Sequence, residues 1–283
     1  MSTGADAIPA SRAWGLWSRQ VTAVLRIELR KNLWGKRAFP LYLLCVVPVL
    51  LLAGRAFVLW QGWVREDPGA AGVFYANLYQ SFLLRFVLFF GCAWVFTNLF
   101  RGEILDRTLH FYFLSPIRRE ILVVAKFISG LIASATFFVA TAAATLVLLY
   151  APYGLSTALE RLLGATGIGA TLAYLGVTAL GCLGYGAVFL ATGLLVRNPM
   201  IPAVAILGWE SVNFLLPPLL KKLSVIYYLI SLCPVQISQG PIALMAEPTP
   251  AWISVPGLLA LTVAVLLIAR WRVRGTEISY TSD

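Results

Sequence analysis

The chain has 283 residues, 60 % of them hydrophobic and 12 % charged, and its mean hydropathy of +0.83 excludes an ordinary soluble domain. A bilayer core about 30 Å thick takes about 20 apolar residues per helical crossing, so the length fits about half a dozen crossings and leaves no room for a sizeable soluble domain. The net charge of +10 needs no nucleic-acid partner, because basic residues collect on the cytoplasmic side of helical membrane proteins and meet anionic headgroups there.

Long apolar runs, rather than alternating ones, exclude an outer-membrane barrel. The expected class is an all-α integral membrane protein. In chain order, residues 1–38 form a cytoplasmic N-terminal segment whose stretch Trp14 to Leu29 has helical period. Trp14, Trp17, Val21, Val24, Leu25 and Leu29 share one face, and Arg19, Arg26 and Arg30 the opposite one. That pattern predicts an amphipathic interfacial helix, with tryptophan at headgroup depth and arginine toward lipid phosphate. A plain surface anchor and a coupling element are both compatible with it. Glu28 falls on the apolar side, where a bare carboxylate is costly, so a protein partner is expected for it.

Six crossings follow within 39–283. The first spans Phe39 to Trp60, interrupted by Pro48, Gly54 and Arg55; the second Tyr79 to Phe100; the third Phe127 to Tyr150. The fourth, Leu172 to Val196, carries Gly176, Gly181, Gly184, Gly186 and Gly193, small residues that let helices approach closely. The fifth starts after Arg197-Asn198-Pro199 and is stopped near Leu216 by Pro217 and Pro218. The sixth spans Ile253 to Ala269. Between the last two, Lys221 to Pro250 is apolar only in patches, Val225 to Leu232 and Val235 to Met245, which predicts a re-entrant or interfacial segment packed on protein.

Sixteen of the 22 Lys and Arg lie before the first crossing, around the second-to-third loop, at the fourth-to-fifth turn and in the tail. Both termini are therefore expected in the cytoplasm. No cleavable signal is expected, since 38 mostly amphipathic residues precede the first apolar run.

The loop after the second crossing is the most informative stretch. Ile104, Leu105, Thr108, Leu109 and Tyr112 make one apolar helical face at 103–114, and Glu103, Asp106, Arg107 and His110 make the other. Glu103 and Arg107 form an i, i+4 pair of favourable orientation. Ser115 and Pro116 suit the N-cap and first position of a following helix. A short helix with an apolar face in the cytoplasm either docks in a partner's groove or packs on the ends of its own crossings.

Glu103, Thr108-Leu109, Leu114-Ser115-Pro116, Arg118-Arg119 and Lys126, set between a second and a third crossing, resemble the E…TL…L-S/T-P…R…K pattern of type-2 ABC exporter permeases. Arg26-Ile-Glu-Leu-Arg30, followed by a Pro-containing first crossing, looks like that family's N-terminal connecting helix. The resemblance implies a permease subunit that moves a substrate across a bacterial-type inner membrane, working with a second permease copy or a homologous permease. It also implies that Glu103, Leu105, Arg107, Thr108, Leu109, Tyr112, Pro116, Arg118 and Arg119 couple to an ABC ATPase. The chain has no G-x-x-x-x-G-K-S/T phosphate loop, so the ATPase, with its ATP and Mg, is expected in a separate chain, and this chain is not expected to be an enzyme or to bind a cofactor. An ion-coupled secondary transporter, or an ABC-type complex that transmits force without transport, is the alternative.

Besides Arg55 in the first crossing, two charges fall inside crossings. Arg85 lies on the second and Glu210 about ten residues into the fifth, near mid-membrane by a rise of about 1.5 Å per residue. Each is expected to find a counter-charge or water, as a structural pair or as part of a substrate pathway. Catalysis and metal binding have little to stand on: His110 has no companion, and Cys45, Cys92, Cys182 and Cys233 are far apart in sequence.

Overall fold

The computed structural model describes residues 22, 25–26, 28–35, 38–105, 119–165, 167–196, 200–237 and 249–274, and among these all regular structure is helical. Five helices are long and apolar enough to cross a membrane: Phe39–Trp60, Pro68–Leu99, Leu122–Tyr153, Gly167–Leu195 and Ala251–Trp271. The chain is thus an all-α, multi-pass membrane protein.

Helix α1 (Phe39–Trp60) matches its apolar run and starts with Pro at its first turn, where a missing N–H costs nothing. The second crossing is longer than its most apolar part. It begins at α2 (Pro68–Leu78), continues without a break through a π-helical stretch (Tyr79–Leu88) and ends as α3 (Phe89–Leu105). Asp67 caps it, its carboxylate accepting from the Gly69 amide at 2.9 Å ahead of Pro68. This cap, rather than hydropathy, fixes the start. In the π stretch the buried positions come as adjacent pairs, Tyr79 with Gln80, Leu83 with Leu84 and Val87 with Leu88, one pair per turn.

Helix α4 (Arg119–Tyr150) passes through a short 3-10 turn into α5 (Leu155–Leu163), and α6 (Gly167–Leu195) returns. α7 (Met200–Ser211), α8 (Pro218–Lys221) and α9 (Val225–Ser231) follow, and α10 (Ala251–Arg274) closes the described chain. Against the expectation of a fifth crossing reaching Leu216, α7 has 12 residues, about 18 Å of rise where about 30 Å is needed. After Ser211 the chain turns through a 3-10 segment at Asn213–Leu215 before Pro217. Of the stretch expected to be re-entrant, α9 is a single buried helix packed on α6 and α10, and 238–248 lie outside the described residues.

α6 is central, packed against α3, α4 and α10. Contacts set the directions. The Tyr79 hydroxyl meets Thr178, and Gly186 and Gly193 lie against Phe96 and Thr97, so α3 runs parallel to α6. Tyr75 meets Thr145, and Lys126 meets Leu99, so α4 runs antiparallel to both. The bundle thus has one end at Leu99, Lys126 and Leu195 and an opposite end at Arg55 and Tyr153.

Four of the five α6 glycines marked in the sequence are close-approach points. A methyl on Gly193 would sit 3.1 Å from the Thr97 Cα and 3.2 Å from its carbonyl oxygen, whereas one on Gly176 would meet nothing within 4 Å. Backbone cannot rotate aside. Gly193→Ala is therefore expected to cost about 1–3 kcal/mol by forcing α3 from α6. Gly176→Ala should be neutral or stabilise by up to about 1 kcal/mol. Thermal unfolding of the two purified variants checks this, and equal shifts would refute the close packing.

Candidate functional site

Two polar junctions hold the bundle. The first is at the Leu99 end. Residues 28–34 are helical, and Glu28, 3 % exposed, turns its carboxylate onto Lys126, which is wholly buried. Lys126 Nζ donates to Glu28 Oε1 at 2.9 Å and to the Leu99 carbonyl at 2.7 Å. The expected protein partner of Glu28 is thus the lysine of the loop pattern itself. A charge pair out of water needs every lone pair and proton engaged, and here one ammonium joins the N-terminal helix, α3 and α4. The Tyr42 hydroxyl donates to the Leu33 carbonyl at 2.7 Å, fastening the same helix to α1.

The residues expected from the resemblance to couple to an ATPase lie next to this junction along the chain. Glu103 and Leu105 belong by their backbone to the last turn of α3, and Arg119 opens α4. Arg107, Thr108, Leu109, Tyr112, Pro116 and Arg118 lie outside the described residues, as do His110 and most of the Trp14 to Leu29 stretch.

The second junction surrounds Glu210, 6 % exposed near the end of α7. Its Oε2 accepts from the Tyr185 hydroxyl at 2.5 Å; its Oε1 accepts from the Ile226 amide at 3.3 Å and the Ser224 hydroxyl at 3.4 Å. Ser224 is the N-cap of α9 yet makes no side-chain cap bond of its own. The carboxylate takes that place, satisfying one of the amides that a helix start leaves open. Tyr185 stands ten residues before the end of α6, about 15 Å by helical rise. Glu210 therefore sits well inside the bundle, away from its Leu99 end, although α7 is short.

Arg85, in the π stretch, is within electrostatic reach of both Glu210 and Tyr185. Tyr185, Ser224 and Ile226 donate hydrogen bonds to the carboxylate. Beside Glu210 lies a cavity of about 250 Å³ walled by Tyr185, Ile206, Trp209 and Leu223. Such a place can hold a small group against a fixed carboxylate.

A third cluster, at the opposite end, was not foreseen from the sequence. Arg55 Nη2 lies 2.6 Å from Glu66 Oε2 and 3.3 Å from the Tyr153 hydroxyl, with its guanidinium 4.8 Å from the Phe74 ring centre. The signal was an arginine near the end of an apolar run with a carboxylate in the following turn. All four cysteines are free and buried, and among the described residues no three His, Cys, Asp or Glu side chains could hold a metal.

No family model and no curated protein matches the chain.

Proposed function

We propose that the chain is the membrane permease subunit of an ABC-type exporter, driven by ATP hydrolysis in a separate ATPase subunit and assembled with a second permease copy. The observation that supports this most is the Lys126 junction. A push on the loop between α3 and α4, where the Glu103 to Lys126 pattern lies, reaches both helix ends and the N-terminal helix through one buried ammonium. A rigid input point of that kind is what a motor subunit outside the membrane requires.

The same reading keeps six crossings and both termini in the cytoplasm of a bacterial-type inner membrane. α7 and α9 then form two halves of a broken fifth crossing that meet at Glu210. Val225 lies against Gly184 and Leu229 against Gly181, so α9 runs along α6 away from the Leu99 end, and Gln80 donates to the Val235 carbonyl at 2.7 Å farther on. Broken helices at membrane depth stand where they pack on protein or line a cavity.

Replacing Leu105 and Leu109 together with Asp is expected to detach the ATPase, because two carboxylates would enter an apolar groove at several kcal/mol each. Affinity capture of the tagged double variant tests this, and capture of the ATPase at wild-type level would refute the docking assignment. The buried Glu210 favours one second reading, an ion-coupled secondary transporter. A chain that moves substrate down an imposed ion gradient without any ATPase would establish it.

A further inference from the structure

At the Arg55 end, α5 presents a face that the protein only half covers. The chain leaves the 3-10 turn through Gly154, whose φ of 92° suits glycine alone. At about 100° per residue, Ala158 and Leu162 fall on one flank, Leu155, Leu159 and Leu163 on the next, and Ser156, Thr157, Glu160 and Arg161 on the rest. Leu162 packs on the core, and its carbonyl accepts from the Thr171 hydroxyl at 3.0 Å, holding the helix to α6. The neighbouring leucines remain open: Leu155 is 75 %, Leu159 49 % and Leu163 61 % exposed.

The depth of this face can be read from its neighbours. Arg55, near the end of α1, reaches the Leu149 carbonyl and the Tyr153 hydroxyl, two residues before α5 begins. α1 itself ends at the exposed Trp60, with exposed Trp63 just beyond. Tryptophans at the end of an apolar span mark the headgroup layer. α5 therefore starts where α1 leaves the hydrocarbon, at the level where an amphipathic helix lays its apolar side into lipid.

We propose that α5 is an interfacial helix whose Leu155, Leu159 and Leu163 stripe is seated in the acyl-chain boundary of the leaflet at the Arg55 end. The partner of this face is lipid, with Glu160 and Arg161 turned to water. This inference rests on the membrane placement of the spans and not on the ATPase.

The test uses the full-length chain in liposomes of phosphatidylcholine and phosphatidylglycerol, with one nitroxide label at a time on Leu155→Cys, Leu159→Cys, Glu160→Cys, Arg161→Cys or Leu163→Cys. The four native cysteines are buried, and all five label positions are exposed, so labelling is selective and the core packing is kept. Power saturation compares oxygen, which partitions into acyl chains, with a water-soluble nickel chelate. The ratio of oxygen to nickel accessibility at the three leucine positions is expected to exceed that at 160 and 161 by about threefold or more. Equal nickel accessibility on both flanks would put the helix in water and overturn the proposal. Low accessibility to both reagents at the leucine positions, with spin–spin broadening between copies, would assign the face to a second copy and overturn it equally.

Discussion

Lys126→Met is expected to lower the unfolding free energy by about 3–5 kcal/mol, because Glu28 then keeps a buried charge without its cation. The two groups are 0 % and 3 % exposed, so water cannot replace the lost partner without opening the junction. The Leu99 carbonyl loses its bond to the ammonium at the same time. Replacing both partners, Lys126→Met with Glu28→Met, should recover most of the loss, since apolar groups of similar volume carry no desolvation cost. Heating the three purified variants and following the folded fraction by gel filtration reads this out. A single variant as stable as the parent, or a double variant as damaged as the sum of its singles, would contradict a buried pair. The N-terminal helix is also fastened by the Tyr42 bond to Leu33. Its release should be the first event in the single variant, seen as early proteolysis near Lys31 and Lys36.

Glu210→Leu should be comparably severe, at about 3–6 kcal/mol, because three donors lose their acceptor and each unsatisfied buried group costs about 1–3 kcal/mol. Tyr185, Ser224 and the Ile226 amide are those donors, and the α7–α9 break would have nothing to close on. Glu210→Gln keeps an acceptor oxygen and should cost only about 1–2 kcal/mol. Thermal unfolding ranks the two variants, and a Leu variant no worse than the Gln variant would mean that the carboxylate does not hold the break. The Arg85 contribution is separable. A charge swap, Arg85→Glu with Glu210→Arg, is expected to show a coupling of at least about 0.5 kcal/mol in a double-mutant cycle, and strict additivity would remove Arg85 as a partner.

The elements that the sequence revealed best are those whose whole length is apolar. α1 was legible at both ends, since nothing but Phe39 to Trp60 supplies the apolar run. The second crossing starts at Pro68, 11 residues before the start expected at Tyr79. Its start is set by the Asp67 cap, a local signal that a hydropathy window averages away. The π stretch has no composition of its own; packing of Tyr79 on Tyr174 and Thr178 accompanies it.

At the junctions, need was legible and identity was not. The position of Glu28 on an apolar face demanded a partner, yet Lys126 lies 98 residues away, and only the fold brings the two together. Glu210 likewise demanded compensation, and Arg85 was the sequence's candidate because it was the other charge at depth. The structure adds Tyr185, Ser224 and a backbone amide at α9, and neutral donors of this sort leave no trace in a charge pattern. Of the coupling face, only Glu103, Leu105 and Arg119 fall within the described residues, so the loop pattern and its resemblance still carry that part of the reading.

The most direct measurement is capture of the tagged full-length chain from its native membrane in mild detergent, followed by an ATP hydrolysis assay on the captured complex. The account predicts a stoichiometric second polypeptide bearing a phosphate-binding loop, and hydrolysis that disappears when that loop's lysine is replaced. A chain recovered intact, folded and active in substrate movement with no ATPase attached would contradict it.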